Sequence, residues 1–177
     1  MRVGANEFIY EEVKPWGELP QGWVIPEVAD VAVDSQDRLY VFARGRHPVI
    51  VLDREGHFLT SWGEGLFKRP HGACIAPDDT VYCVDDEGQA VRRFTPDGRL
   101  LMTITAESCP ADTGYVRGQS PVLRAGPPFN FPTGVAVSPT GEIYVSDGYG
   151  NARIHKFAAN GQLLFSWGEP GDRKSVV

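Results

Sequence analysis

A tyrosine follows a strand-like run in the string SDGYGNARIHKF, residues 146–157. The apolar run before it ends at Asp147 and Gly148, and Tyr149 lies in the turn before the chain extends again. Such a turn can hold a phenolic hydroxyl out where it exchanges protons with a bound molecule. The string by itself leaves two interpretations open: Tyr149 is a plain turn residue, or it takes part in chemistry.

The three cysteines show no metal-binding spacing. Cys74, Cys83 and Cys109 lack a CxxC pair, so they indicate neither a disulfide framework nor a zinc knuckle. Cys74 and Cys83 lie symmetrically about the turn APDDT, and we expect them to face each other across a hairpin as small buried residues. Three unpaired thiols favour a reduced, cytoplasmic setting. His57 in a predicted turn and His155 in a predicted strand have no ligand spacing.

The composition predicts a globular chain with many turns. Its 177 residues suffice for a core, and 20 Gly and 14 Pro fall singly between apolar runs. The net charge of −6 disfavours a broad nucleic-acid-binding face, so we expect no nucleic-acid partner. No run approaches the ~18 apolar residues of a membrane helix, and the string MRVGANEF lacks the apolar core of a signal peptide.

The elements that must position Tyr149 form a repeat. Residues 26–62, 70–104 and 132–167 share one template, in which a proline precedes an apolar strand, a turn, a strand centred on tyrosine, and two further strands. Apolar positions alternate or form short runs, which is a β pattern, and no segment shows a helical period. Four strands in ~40–45 residues is the size of one propeller blade. The tyrosines recur with the repeat and are predicted to lie in the core; they are Tyr40, Tyr82 and Tyr144.

We therefore predict an all-β chain of antiparallel four-stranded blades, a partial propeller of about three blades. The insert between the second and third repeats is predicted to be a surface loop, and Asp85 and Asp86 are predicted to be solvated turn carboxylates. The predicted segments are a closing strand (1–23), blades at 24–66, 67–105 and 129–171, the insert (106–128) and a non-native tail, DRKSVV (172–177).

The blades resemble the NHL repeat over residues 24–171. Within that group, three strings are similar to the peptidyl-α-hydroxyglycine α-amidating lyases, zinc enzymes with six blades that finish peptide amidation. The strings are LYVFARGRH, RPHGACI and FPTGVAVSPTGEIYVSDGYGNARI. The last is the most specific, since SDGY followed by Asn and Arg is rarer than the general NHL pattern.

This resemblance implies a role for five residues. Arg44 would bind a substrate carboxylate, His71 would be a zinc ligand, and Tyr149 would be the catalytic base. Val31 and Ala73 would offer backbone carbonyls to a structural calcium ion. The implied reaction splits a C-terminal α-hydroxyglycine into a peptide amide and glyoxylate. The roles are chemically consistent, because an arginine fork suits a carboxylate and Zn²⁺ takes neutral imidazoles.

Plainer interpretations remain for each residue. His71 stands in a turn at the start of a blade where the other repeats have Ala29 and Thr133, and Arg44 lies in the polar string ARGRH. The family's zinc site takes three histidines from separate blades, and here only His71 matches.

Two functions therefore stay open: a lyase-like metalloenzyme or half of one, and a non-enzymatic NHL propeller that binds peptide or protein on its channel face. A calcium-dependent gluconolactonase-like hydrolase is a weaker third. The expected partner is a small peptide-like substrate or a protein ligand. A homodimer of three plus three blades is also expected, in which the Phe8–Trp16 strand completes a partner's blade.

Overall fold

The computed structural model describes residues 2–12 and 16–171 and shows an all-β chain. A two-stranded hairpin precedes three antiparallel four-stranded sheets. The hairpin comprises β1 (Arg2–Ala5) and β2 (Phe8–Glu11). The predicted all-β class is confirmed. In the described ranges, no helix has the length and apolar character that a membrane span requires.

Each sheet is one blade, with its strands paired in chain order. Blade 1 contains β3 (Glu27–Val33), β4 (Leu39–Arg44), β5 (Val49–Leu52) and β6 (Phe58–Trp62). Blade 2 contains β7 (Pro70–Ile75), β8 (Val81–Asp85), β9 (Ala90–Phe94) and β10 (Leu100–Thr105). Blade 3 contains β11 (Gly134–Val137), β12 (Ile143–Asp147), β13 (Arg153–Phe157) and β14 (Leu163–Trp167).

The repeated tyrosines mark the common register of the blades. Tyr40, Tyr82 and Tyr144 are each the second residue of the second strand. Each lies opposite a small residue of the first strand, which leaves room for the ring on that face; the partners are Ala32, Cys74 and Ala136. The predicted equivalence of the tyrosines is therefore present in the structure.

The blades pack against one another through their apolar faces. Tyr40 and Phe42 of blade 1 share a buried cluster with Cys83 and Phe94 of blade 2. The next cluster joins blade 2 to blade 3, and its largest members are Tyr82, Val84, Phe129, Ile143 and Phe157. Because blade 2 contributes one face to each of these two clusters, the three blades have a fixed order and spacing.

Tyr144 differs from the other two tyrosines in burial. Tyr40 and Tyr82 are 1% and 2% exposed, whereas Tyr144 is only partly buried. Its neighbours on the same side of blade 3, Phe165 and Trp167, are exposed. The prediction that all three tyrosines are core residues was wrong for Tyr144, because no blade packs on that face in the described residues.

The other end of the stack is covered by the chain that precedes blade 1. Leu19 and Trp23 pack against the cluster that contains Ile50 and Leu52, and the Glu18 amide donates a hydrogen bond to the Gly56 carbonyl (2.8 Å). This segment is a cover for blade 1.

The predicted closing strand, Phe8–Trp16, does not pair with a blade over its described residues. Its first part, β2, pairs with β1, and every residue of that hairpin is exposed. Residues 13–15 and the predicted tail at 172–177 lie outside the described residues. The homodimer stays a prediction.

The expected contact between two cysteines was wrong by one position of register. Cys83 lies opposite Ala73, and Cys74 lies opposite Tyr82. Successive strand residues point to opposite faces, so Cys83 enters the core toward blade 1 while Cys74 packs toward blade 3.

Candidate active site

Tyr149 and His71 are hydrogen-bonded to each other across two blades. Tyr149 lies in the turn after β12, and His71 is the second residue of β7. The Tyr149 hydroxyl is 3.0 Å from Nε2 of His71, and Nδ1 of His71 is 2.7 Å from the Thr133 carbonyl oxygen. A carbonyl only accepts, so Nδ1 carries the proton in the neutral ring, and Nε2 accepts from the tyrosine hydroxyl. The backbone of blade 3 therefore sets the tautomer of His71.

Arg44 brings blade 1 to the same place. It is the last residue of β4, where its Nε donates to the Pro70 carbonyl (3.1 Å) and its Nη1 pairs with Glu27. Pro70 immediately precedes His71, so the arginine is fastened to the strand that carries the histidine. Arg44 and Tyr149 line a shared cavity of about 310 Å³. The structure thus brings together the three predicted residues Arg44, His71 and Tyr149, one from each blade.

Two buried carboxylates hold the backbone on which these residues lie. Asp85 is fully buried and accepts hydrogen bonds from the amides of Lys68, Arg69 and Gly88, each at 2.9 Å. Asp147 occupies the equivalent position in blade 3, because both aspartates lie three residues after the tyrosine of their blade. It is also fully buried and accepts a hydrogen bond from the Asn130 amide (2.9 Å). Each carboxylate ties the segment before a blade to the end of that blade's second strand. The prediction that Asp85 is a solvated turn residue was wrong, because its carboxylate accepts hydrogen bonds from backbone amides that would otherwise have no partner inside the protein.

Arg69 is a site residue that the sequence analysis missed. Its guanidinium makes a forked contact with the Asp86 carboxylate and lies 5.7 Å from the centre of the Tyr149 ring. The hydrogen bond to Asp86 raises the pKa of Arg69 above its usual value, so the group stays cationic. Asp86 is fully buried, which corrects the prediction that it is solvated. The signal for Arg69 was its position directly before the proline that starts blade 2.

The insert supplies the remaining wall of the cavity. Thr113 is buried and donates its hydroxyl to the Gly150 carbonyl (2.6 Å), which fastens the insert beside Tyr149. Tyr115 and Arg117 follow on the insert and line the cavity, together with Phe131 from the segment before blade 3. The predicted surface loop is therefore also part of the site. Its sequence has no β or helical period, so nothing in it indicated this role.

A zinc ion would find too few ligands in this cavity. Structural and catalytic zinc sites take three or four protein ligands, and His71 supplies one imidazole. Among the described residues, the one cluster of three metal-type side chains is Asp53, Glu55 and His57, in the hairpin of blade 1. We did not recognise the alternate-residue spacing of this cluster in the sequence. In the hairpin, Nδ1 of His57 is hydrogen-bonded to the Asp53 carboxylate (2.9 Å), so the two side chains already have a structural role. The described residues do not fit zinc at the cavity.

The two residues predicted to offer carbonyls to calcium lie on adjacent first strands. Val31 is in β3 and Ala73 is in β7. Their amides both donate to the Asp30 carboxylate, at 2.8 and 2.9 Å, so this carboxylate links the two strands. Calcium binding stays a prediction.

Comparisons with known proteins agree with this architecture. Residues 129–157 match the family model described as "NHL repeat". The chain is 29% identical over 201 aligned positions to mouse peptidyl-glycine alpha-amidating monooxygenase, covering 97% of this chain and 19% of that protein. It is 34% identical over 111 positions to peptidyl-alpha-hydroxyglycine alpha-amidating lyase 1 of Drosophila melanogaster, covering 61% of this chain and 18% of that protein.

A solved streptogramin B lyase has the same fold, with a TM-score of 0.62 and 12% identity over 85% of this chain and 44% of that one. The chain spans about a fifth of the length of the two curated relatives. The strings around Arg44, His71 and Tyr149, the repeat match and the blade architecture lead to one conclusion: this chain consists of β-propeller blades, one of which matches the NHL repeat, and it resembles the peptidyl-α-hydroxyglycine α-amidating lyases.

Proposed function

We propose that this chain carries the site of a lyase that cleaves a peptide ending in α-hydroxyglycine into a peptide amide and glyoxylate. The observation that carries the proposal is the contact of the Tyr149 hydroxyl with His71 Nε2 (3.0 Å) at the edge of a cavity that Arg44 also lines. Such a substrate has a hydroxyl to deprotonate and a carboxylate to bind, both on its last residue.

Arg44 binds the carboxylate. Its Nε and Nη1 have protein partners, and Glu27, the partner of Nη1, is 58% exposed, so a ligand carboxylate can replace it without leaving a buried charge unpaired. The bond from Nε to Pro70 keeps the guanidinium plane fixed during this exchange. A planar fork that is already oriented gives two parallel hydrogen bonds at a small entropy cost.

Tyr149 and His71 move the proton. The substrate hydroxyl gives its proton to the Tyr149 oxygen as the tyrosine passes its own proton to Nε2 of His71. The Thr133 carbonyl accepts a hydrogen bond from Nδ1 of His71 and stabilises the resulting imidazolium. In catalytic triads the third residue orients the general base in the same way. A positioned acid–base pair of this kind contributes about 10²–10⁴ in rate.

The bond changes then balance without any further reactant. The alkoxide oxygen forms the carbonyl of glyoxylate, the carbon–nitrogen bond breaks, and its electron pair goes to the amide nitrogen. His71 returns the proton through Tyr149 to that nitrogen. Both protein groups finish in their starting states.

The test is turnover of N-benzoyl-α-hydroxyglycine by the full chain, with benzamide measured by chromatography and glyoxylate measured as its hydrazone. A protein-free blank corrects for spontaneous cleavage. We expect Tyr149→Phe and His71→Ala to lower kcat about 100-fold or more, and Arg44→Gln to raise KM. Tyr10→Phe is the matched control, because Tyr10 is an exposed tyrosine on the N-terminal hairpin.

A wild-type rate in Tyr149→Phe would overturn the proton-transfer role. No glyoxylate above the blank, together with saturable binding of N-benzoylglycine, would favour the non-enzymatic peptide-binding propeller.

A further inference from the structure

The cavity has two aromatic residues besides Tyr149. The rings of Tyr115 and Phe131 meet edge to face, with centres 6.1 Å apart, and the Arg117 guanidinium lies 5.9 Å from the centre of the Phe131 ring. Both rings are partly buried and line the cavity. The proton-transfer step uses neither of them.

Phe131 has a backbone conformation that aromatic residues rarely adopt. Its φ is 62°, in the left-handed region, and it directly precedes Pro132. Proline disfavours compact conformations in the residue before it, and a bulky side chain adds its own cost in the left-handed region. A strained residue of this kind persists only where its surroundings enforce it.

Those surroundings are two buried side chains. The Phe131 amide donates to Oε1 of Gln89 (2.8 Å), and the Asn130 amide donates to the fully buried Asp147 (2.9 Å). The strain therefore places an aromatic ring at a cavity wall, although a ring in the core would contribute more to stability. Backbone strain at a cavity is typical of ligand-binding positions.

The cavity size limits what can reach this ring. A volume of about 310 Å³ is near the lower end of the ~300–1,000 Å³ range of ligand pockets. A C-terminal dipeptide unit fits that space better than a longer segment. With its carboxylate at Arg44 and its hydroxyl at Tyr149, the side chain of its first residue remains to be placed.

We propose that Phe131 and Tyr115 form the subsite for the residue preceding the α-hydroxyglycine and select an aromatic side chain there. The proposal rests on the lyase function proposed above and names its substrate class. Aromatic rings favour edge-to-face and offset contacts with one another, and Arg117 adds a cation on the Phe131 ring. A substrate with alanine before the α-hydroxyglycine would leave the rings of Phe131 and Tyr115 facing water.

The test compares binding of N-acetyl-Phe-Gly and N-acetyl-Ala-Gly to the full chain by calorimetry. We expect the phenylalanine ligand to bind about tenfold more tightly. Phe131→Gly should reduce that ratio to about threefold or less, and glycine suits a φ of 62°, so this variant keeps its fold. Phe165→Ala is the matched control, because Phe165 is an exposed ring on β14 that does not line the cavity.

The outcomes separate this inference from the lyase proposal. Equal binding of the two ligands, or an unchanged ratio in Phe131→Gly, overturns the subsite even if glyoxylate is formed. A tenfold preference that disappears in Phe131→Gly supports the subsite even if no glyoxylate is formed. If neither ligand binds, both the subsite and the carboxylate-binding role of Arg44 are overturned.

Discussion

Replacing Asp85 with alanine should destabilise the chain by about 4 kcal/mol. The carboxylate is fully buried and accepts hydrogen bonds from three backbone amides and from Nη1 of Arg92 (3.1 Å). Each amide left without a partner costs about 1 kcal/mol or more. Arg92 is only 17% exposed, so it loses a partner that water replaces in part. Asp85→Asn keeps the size and one acceptor oxygen, and we expect it to cost about half as much.

Urea unfolding followed by tryptophan fluorescence measures this effect. With a slope of about 2 kcal/mol per molar, the Asp85→Ala midpoint should fall by roughly 2 M. Glu64→Ala is the control, since its ion pair with Arg46 is exposed at both ends and is worth less than about 1 kcal/mol. A loss below about 1 kcal/mol in Asp85→Ala, at an unchanged slope, would refute the idea that Asp85 holds the segment before His71.

Two further predictions concern acid stability and thiol reactivity. Burial alone raises the pKa of Asp34, but hydrogen bonds from Arg38 outweigh it, and the net pKa lies below the usual value. The stabilisation from Asp34 is therefore complete above about pH 4 and is lost as the pH falls through the folded-state pKa of this group. The urea midpoint should fall less between pH 6 and pH 3 in Asp34→Asn than in the wild type. An equal fall in the wild type and the variant would contradict this. A disulfide reagent should label Cys109 rapidly and Cys83 only after unfolding, because Cys109 is exposed whereas burial raises the pKa of the Cys83 thiol. Three fast thiols in the native chain, counted by absorbance, would contradict the burial of Cys83.

The repeat explains why so much of the fold could be predicted. Three copies of one template gave independent views of the same strands, and Tyr40, Tyr82 and Tyr144 marked their register. Local patterns of apolar residues and turns are short-range properties, so they are legible in the chain itself. The misplaced pairing of Cys74 and Cys83 shows the limit, because the turn from Ala76 to Thr80, with Asp79 in the left-handed region, sets the register at these cysteines, and we did not recognise its type in the sequence.

The burial of charged residues could not be predicted in the same way. Asp85 and Asp86 follow a strand in a polar stretch, which is typical of a solvated turn. Their fate depends on amides and on an arginine that lie 16 or 17 positions earlier in the chain and approach only when the blade closes. Phe131 is a similar case, since its left-handed backbone is enforced by Gln89 of the preceding blade.

The sequence by itself determined the β class, the four-stranded blades, and the three residues Arg44, His71 and Tyr149 as candidates for the site. It did so because repeat patterns and family strings are local. Only the tertiary structure decided that Tyr149 bonds to His71, that Arg69 lies over the tyrosine ring, and that the insert adds an aromatic wall. Those contacts join residues from different blades, and their geometry depends on how the blades stack.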